Sequence, residues 1–140
     1  MRTKSLVLSI TSGLFLTYVL CSNTIYAESQ DIGVKITSPT TGQEIPVGEL
    51  TIFGISTDNS TTDCQVHVDV DDTKPFQKAT ATGPMIKDDY STWIFTYTQD
   101  YRLIEEGENE LTAKISCLYG PVNLSKYHTV NIIGVNKEQQ

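Results

Sequence analysis

From residue 33 onward the chain alternates apolar and polar positions in short runs, each closed by turn-forming residues. A period of two is the pattern of half-buried β-strands, and many such runs in succession predict an all-β sandwich or barrel. VKI (34–36) turns Val34 and Ile36 inward and stops at Ser38-Pro39. EIPVG (44–48) contains Pro46, which cannot donate to a ladder and therefore suits an edge. LTIFGIS (50–56) sets Leu50, Ile52 and Gly54 on one face and is followed by the polar loop TDNSTTD. CQVHVDV (64–70) sets Cys64, Val66, Val68 and Val70 against Gln65, His67 and Asp69. FQKATAT (76–82) is a weaker strand, expected at an edge. STWIFTYT (91–98) aligns Trp93, Phe95 and Tyr97, a bulky set able to fill the centre of a sandwich. NELTAKISCLY (109–119) aligns Leu111, Ala113, Ile115, Cys117 and Tyr119, and YHTVNIIGV (127–135) ends the domain. The best helical window, YRLIEEGENE (101–110), is interrupted by Gly107, so almost no helix is expected.

The first 27 residues break this pattern. Arg2 and Lys4 precede an uncharged apolar run from Leu6 to Cys21, and Ile25-Tyr26-Ala27 places a small residue before Glu28. That is the layout of a secretory signal peptide, and the apolar run is shorter than the roughly 20 residues of a membrane helix. An uncleaved anchor is the competing reading; a lipoprotein site at Cys21 is disfavoured by the bulky Leu20 before it. Removing 1–27 takes away Arg2 and Lys4, so the net charge moves from −7 to −9. An acidic surface argues against nucleic acid and anionic membranes as partners, and no membrane contact is expected beyond the signal segment. The expected layout is a short linker (28–32), one β-domain (33–136) and a polar tail (137–140).

Two stretches carry a resemblance. ITSPTTGQEIPVGELTIFG (36–54) resembles the opening of bacterial and archaeal Ig-like domains: a strand ending in Ser-Pro, a Gly turn, a short edge strand, then a strand with a late Gly. LIEEGENELTAKIS (103–116) resembles the turn before their sixth strand, where a Gly-x-Asn segment leads into an alternating strand. The resemblance spans residues 34 to 135 and implies an Ig-like Greek-key β-sandwich of seven to eight strands. It also implies an extracellular, non-catalytic module of the kind found in adhesins, surface-layer proteins and carbohydrate-active enzymes. The residues here depart from that setting in showing one copy, with no repeat and no sorting signal.

In Ig order the strands bearing Cys64 and Cys117 are third and sixth, antiparallel neighbours in one sheet. Pairing the two cysteines sets Val66 opposite Ile115, Val68 opposite Ala113 and Val70 opposite Leu111, all apolar. On the other face Gln65 meets Ser116, His67 meets Lys114 and Asp69 meets Thr112, all polar. A slip of one residue would spoil both faces, so the register favours a Cys64–Cys117 disulfide over two buried free thiols. An exported chain meets oxidising conditions, and closing this loop is worth roughly 3–4 kcal/mol in the chain-entropy model. A zinc site would need further ligands, and a cysteine nucleophile would need exposure that the inward phase denies.

The remaining chemistry is sparse. DVDDT (69–73) and KDDY (87–90) carry acids but lack the Gly and closing Glu of an EF-hand, so solvated turns are favoured over calcium sites. No nucleophile elbow or paired-carboxylate site is present, so no catalytic residue, metal or cofactor is assigned. Asn59-Ser60-Thr61 and Asn123-Leu124-Ser125 are sequons, the second expected in the loop before the last strand and at the same pole as the disulfide. The expected binding face is Gln65, His67, Asp69, Thr112, Lys114 and Ser116, with Leu118 and Tyr119 at its rim. Its partner would be an extracellular protein or a glycan. Pro46 and Pro75 blunt the edges and favour a monomer over a self-associating envelope component.

Overall fold

The computed structural model describes residues 31–85 and 87–137; the expected signal peptide, residues 28–30 of the linker and residues 138–140 of the tail lie outside them. The alternating runs fold into nine strands: β1 (Val34–Ser38), β2 (Glu44–Pro46), β3 (Leu50–Ser56), β4 (Asp63–Val70), β5 (Gln77–Lys78), β6 (Thr80–Ala81), β7 (Thr92–Tyr97), β8 (Gly107–Tyr119) and β9 (Val122–Val135). Among the described residues there is no helix. One sheet has the order β1-β3-β7-β6, the other β2-β9-β8-β4-β5. The two share a core whose largest fully buried side chains include Trp93, Tyr90, Tyr97, Ile52, Ile104, Leu111, Ile115 and Ile132. This is an all-β sandwich of a four-stranded and a five-stranded sheet.

Two short segments change sheets, and the division of the second into two strands raises the strand number from eight to nine. After β1 the Ser38-Pro39 peptide is cis, and the chain crosses to lay β2 parallel to β9, with Glu44 opposite Ile133 and Pro46 opposite Val135. The weak run 76–82 is not one edge strand. Its first half pairs with β4 (Val68 opposite Gln77) and its second with β7 (Thr80 opposite Ile94). Ala79, buried at the crossing, donates its N–H to Val66 O at 2.9 Å. A two-residue strand can make that jump because neither half holds a long ladder in either sheet.

Trp93 lies at the centre, 1 % exposed, against the backbone of Gly54, its directly opposed partner in β3. A Cβ at residue 54 would stand 2.0 Å from Trp93 Cζ2, so the indole occupies the space that any side chain there would need. The late glycine of β3 is therefore a packing requirement of the tryptophan. At the opposite pole Asn109, 1 % exposed, closes the turn before β8. Its Oδ1 accepts from Glu105 N, and its Nδ2 donates to the carbonyls of Glu105 and Gly107, all at 2.9 Å. One amide satisfies three backbone groups of the turn leading into β8, which is the physical content of the Gly-x-Asn segment.

β4 and β8 pair in the register read from the sequence, from Asp63 opposite Leu118 through Cys64 opposite Cys117 to Val70 opposite Leu111. The two cysteines form a disulfide, with Cα atoms 4.0 Å apart and both side chains buried. The bond lies within the five-stranded sheet and joins neighbouring strands. Beyond it β8 and β9 continue as a hairpin to the pair Tyr119–Val122, turned by Gly120-Pro121 with φ of +60° at Gly120. Glycine in the left-handed region followed by a second turn residue is the two-residue connection that keeps strand twist.

Candidate functional site

The expected face lies on the outside of the five-stranded sheet, and the β8–β9 pairing widens it by a third strand. Gln65, Ser116 and Ser125 form one row; His67, Lys114 and Tyr127 the next; Asp69, Thr112 and Thr129 the third. Cross-strand hydroxyls bond within the rows, Ser116 Oγ to Ser125 Oγ at 3.0 Å and Thr112 Oγ1 to Thr129 Oγ1 at 2.9 Å. In the middle row Lys114 Nζ sits 5.7 Å from the centre of the Tyr127 ring, and that ring is 59 % exposed. Leu118, 55 % exposed, stands at the rim opposite Asn123, while Tyr119 is half-buried.

Asp69 does not belong to an accessible surface. Its side chain is 1 % exposed because the β4–β5 loop folds back over it. Asp71 and Asp72 adopt left-handed φ values of 48° and 55°, conformations that aspartate tolerates better than most residues. The chain then reverses, and Lys74 Nζ comes within 2.6 Å of Asp69 Oδ2 and 3.9 Å of the Phe76 ring centre. Asp69 also serves through its backbone, accepting the Tyr97 hydroxyl at 2.8 Å. Burial pushes the Tyr97 phenol up, out of the range in which it would ionise. Asp69 is thus a structural residue that holds the loop, and the accessible face reduces to Gln65, His67, Thr112, Lys114 and Ser116 with the residues of β9.

The middle row of this face is positive, with Lys78 and Lys114 flanking His67, while alternation puts Asp63, Glu108 and Glu110 elsewhere on the same face. Among the described residues Lys74 and Arg102 carry the ion pairs, and Lys35, Lys78, Lys114 and Lys126 have none within 4.0 Å. Partial burial lowers the His67 pKa, and Lys78 and Lys114 on either side lower it further. Burial and Lys35 lower that of His128, whose Nδ1 accepts the Ile36 N–H at 3.2 Å. Both shifts favour the neutral imidazole in the fold. A histidine whose folded pKa lies below its unfolded value of about 6.5 adds stability above that value and loses it as pH falls through the folded one. The urea midpoint is therefore expected to drop between pH 7.5 and pH 5. In His67→Gln/His128→Gln the drop should shrink; a wild-type midpoint constant over this interval would contradict the assignment.

The disulfide pole carries the two sequons. Asn59 lies in the loop after β3, its Oδ1 accepting Thr61 N–H at 2.9 Å and Thr61 Oγ1 at 2.6 Å. Asn123 is not in a loop: the Gly120-Pro121 turn starts β9 at Val122 and places Asn123 in the hairpin, exposed and opposite Leu118. A depression of about 150 Å³ lies between Asp63, Gln65, Ser116, Leu118 and Asn123, and one of about 250 Å³ between Asn59, Asp63, Met85, Asp88 and neighbouring residues. Small-molecule pockets run from about 300 Å³ upward, so neither depression encloses a ligand of that kind.

The acidic loops are spoken for by the backbone. Asp58 Oδ2 accepts Tyr90 N–H at 2.8 Å. Asp89 accepts from Ser91 N at 2.9 Å and Met85 N at 3.1 Å, and bonds to Ser91 above all hold its carboxyl below the usual range. Among the described residues no three His, Cys, Asp or Glu side chains gather to hold a metal ion. Among the described residues no helix is long and apolar enough to cross a membrane.

Tyr127 is the functional candidate that reading the alternation missed. The signal was present: ISCLYGPVNLSKYHTV places Gly-Pro between two alternating runs, the mark of a hairpin, which extends the last strand back to Val122 and sets Tyr127 beside Lys114. A second exposed group, Phe53 (48 % exposed) and Ile55 (46 %), lies on the outside of the four-stranded sheet. The chain matches no model of a known protein family. No curated protein matches it either.

Proposed function

We propose that this chain is a non-catalytic Ig-like binding or adhesion module, exported and acting outside the cell through the outer face of β4, β8 and β9. The observation that carries the reading is the row His67–Lys114–Tyr127. A tyrosine ring stands open on a polar sheet face, beside an unpaired lysine, without contributing to the core. Aromatic residues are the costly groups to leave in water and the ones that dominate recognition. The hydroxyl rows on either side supply short, fixed donors and acceptors suited to a protein backbone or a glycan. The Cys64–Cys117 bond accords with an oxidising compartment, and the resemblance to extracellular Ig-like domains supports the same location.

The test is binding to purified envelope glycans and surface proteins, with Tyr127→Ala and Lys114→Ala compared against the parent chain. Each is expected to weaken binding at least about tenfold, as for a residue central to an interface. Unchanged affinity in both variants would remove this face from the function. Phe53 and Ile55 support a second reading, a structural envelope component that self-associates through the four-stranded sheet. Light scattering across a concentration series separates the two, because the module stays monomeric.

A further inference from the structure

β9 is paired on only one side along most of its length. β8 covers it from Val122 to Gly134, whereas β2 reaches only Ile133 to Val135. Three bonds fix which backbone groups face that second side: Gly42 N donates to Asn131 O, Ile133 N to Gln43 O, and Val47 N to Val135 O. In an antiparallel pair successive residues direct their backbone groups alternately toward and away from the partner. The odd-numbered residues of β9 therefore aim their N–H and C=O away from β8. For Asn123, Ser125, Tyr127 and Thr129 no described strand pairs with those groups, and all four residues are exposed. The result is an open edge of about 23 Å, seven residues at roughly 3.3 Å each.

The other edges are treated differently. β2, β5 and β6 are three residues or fewer, Pro46 and Pro75 flank or occupy two of them, and the five-residue edge β1 is broken by a register shift between Ile36 and Ser38 and ends at Pro39. Short strands and prolines are how a fold denies pairing to strangers. The long edge of β9 has no proline and no bulge. It does have charge of one sign: Lys126 within the strand, Lys114 beside Tyr127, and Lys35 on β1, which contacts β9 through the Ile36–His128 bond. β9 itself contains no acidic residue, in a chain with 17 of them.

We infer that the open edge of β9 accepts an extended acidic peptide segment of a partner protein as an added antiparallel strand. Backbone groups of Asn123, Ser125, Tyr127 and Thr129 make the ladder, and Lys114 and Lys126 select carboxylates. Strand addition of this kind draws affinity from main-chain bonds and specificity from alternate side chains. A second copy of this chain fits less well. Antiparallel pairing of β9 with itself brings Lys126 opposite Lys126 or His128, with no carboxylate to relieve it. The inference rests on the binding-module reading and narrows it to one partner class.

The experiment uses the full chain and a ten-residue peptide of Val-Val-Glu-Glu repeats, which carries carboxylates on both faces of a strand, with the corresponding valine–lysine peptide as control. Amide hydrogen exchange is followed residue by residue. The acidic peptide is expected to slow exchange at Asn123, Ser125, Tyr127 and Thr129, and the lysine peptide to leave it unchanged. Ser125→Pro deletes one outward N–H and no backbone bond to β8, losing there only the exposed hydroxyl bond to Ser116, at a position where an edge strand tolerates proline. It should abolish peptide binding with the melting curve retained. Lys114→Glu/Lys126→Glu, which keeps every backbone donor, should weaken the acidic peptide at least tenfold. Saturating acidic peptide without protection at these amides overturns the inference, as does binding that survives Ser125→Pro. Protection already present in the free monomer would assign the edge to another segment of this chain, and protection growing with protein concentration would assign it to a second copy; both overturn it. A glycan that still requires Tyr127 while no peptide adds would leave the module reading standing and this inference refuted.

Discussion

Gly54→Ala is expected to destabilise the domain by about 3 kcal/mol or more, at the upper end of what overpacking a well-filled core costs. The new methyl would lie 2.0 Å from Trp93 Cζ2, 2.2 Å from Trp93 Cε2 and 2.6 Å from the carbonyl oxygen of Lys35. Neither neighbour can yield cheaply. The indole is 1 % exposed between the sheets, and the carbonyl belongs to β1, paired with β3 on the other side. For a domain of this size such a loss lowers the melting temperature by roughly 12–20 °C. Thermal and urea unfolding of the single variant measure it. Gly54→Ala/Trp93→Leu supplies the control, since a smaller side chain opposite the methyl should return part of the loss as a coupling between contacting residues. A single-variant cost below about 1 kcal/mol would mean that the tryptophan does not pack on the glycine as described.

What could be read from the residues, and what could not, divides along one physical line. Alternation on two strands at once determines a register, so Cys64 opposite Cys117 and the apolar pairs behind them were legible before any coordinates. Each slip would have inverted two faces together. The burial of Asp69 was not legible, because it depends on a loop. Only when Asp71 and Asp72 take left-handed conformations does Lys74 return to cover the carboxylate. The division of residues 76–82 between two sheets was hidden for a related reason: two-residue strands carry no period to read. The strand start at Val122 was hidden by local composition, since Asn123, Ser125 and Lys126 look like a loop until Gly120-Pro121 is recognised as a hairpin turn. That single boundary decides whether Tyr127 is the first residue of a strand or the middle of an exposed edge.

The pairing that defines the face also predicts the response of the chain to losing its covalent bond. Cys64→Ala/Cys117→Ala is expected to cost about 3–4 kcal/mol, since the bond spans a sequence separation of 53 residues and chiefly restricts the unfolded chain. Small domains hold about 5–15 kcal/mol in total, so the variant gives up a large share of its stability. The native sheet should survive at low temperature, because Val66–Ile115, Val68–Ala113 and Val70–Leu111 remain buried and paired. Loosening should concentrate at the pole, with faster amide exchange at Asp63, Gln65, Ser116 and Leu118 and little change at Val68 or Ala113. The measurements are urea unfolding with and without reductant, exchange by residue, and intact mass of the purified folded protein, which gains two hydrogens on reduction. Free thiols in that protein, or a melting temperature indifferent to reductant, would mean that the β4–β8 pair is held by its apolar face alone and that the sulfurs add nothing to it.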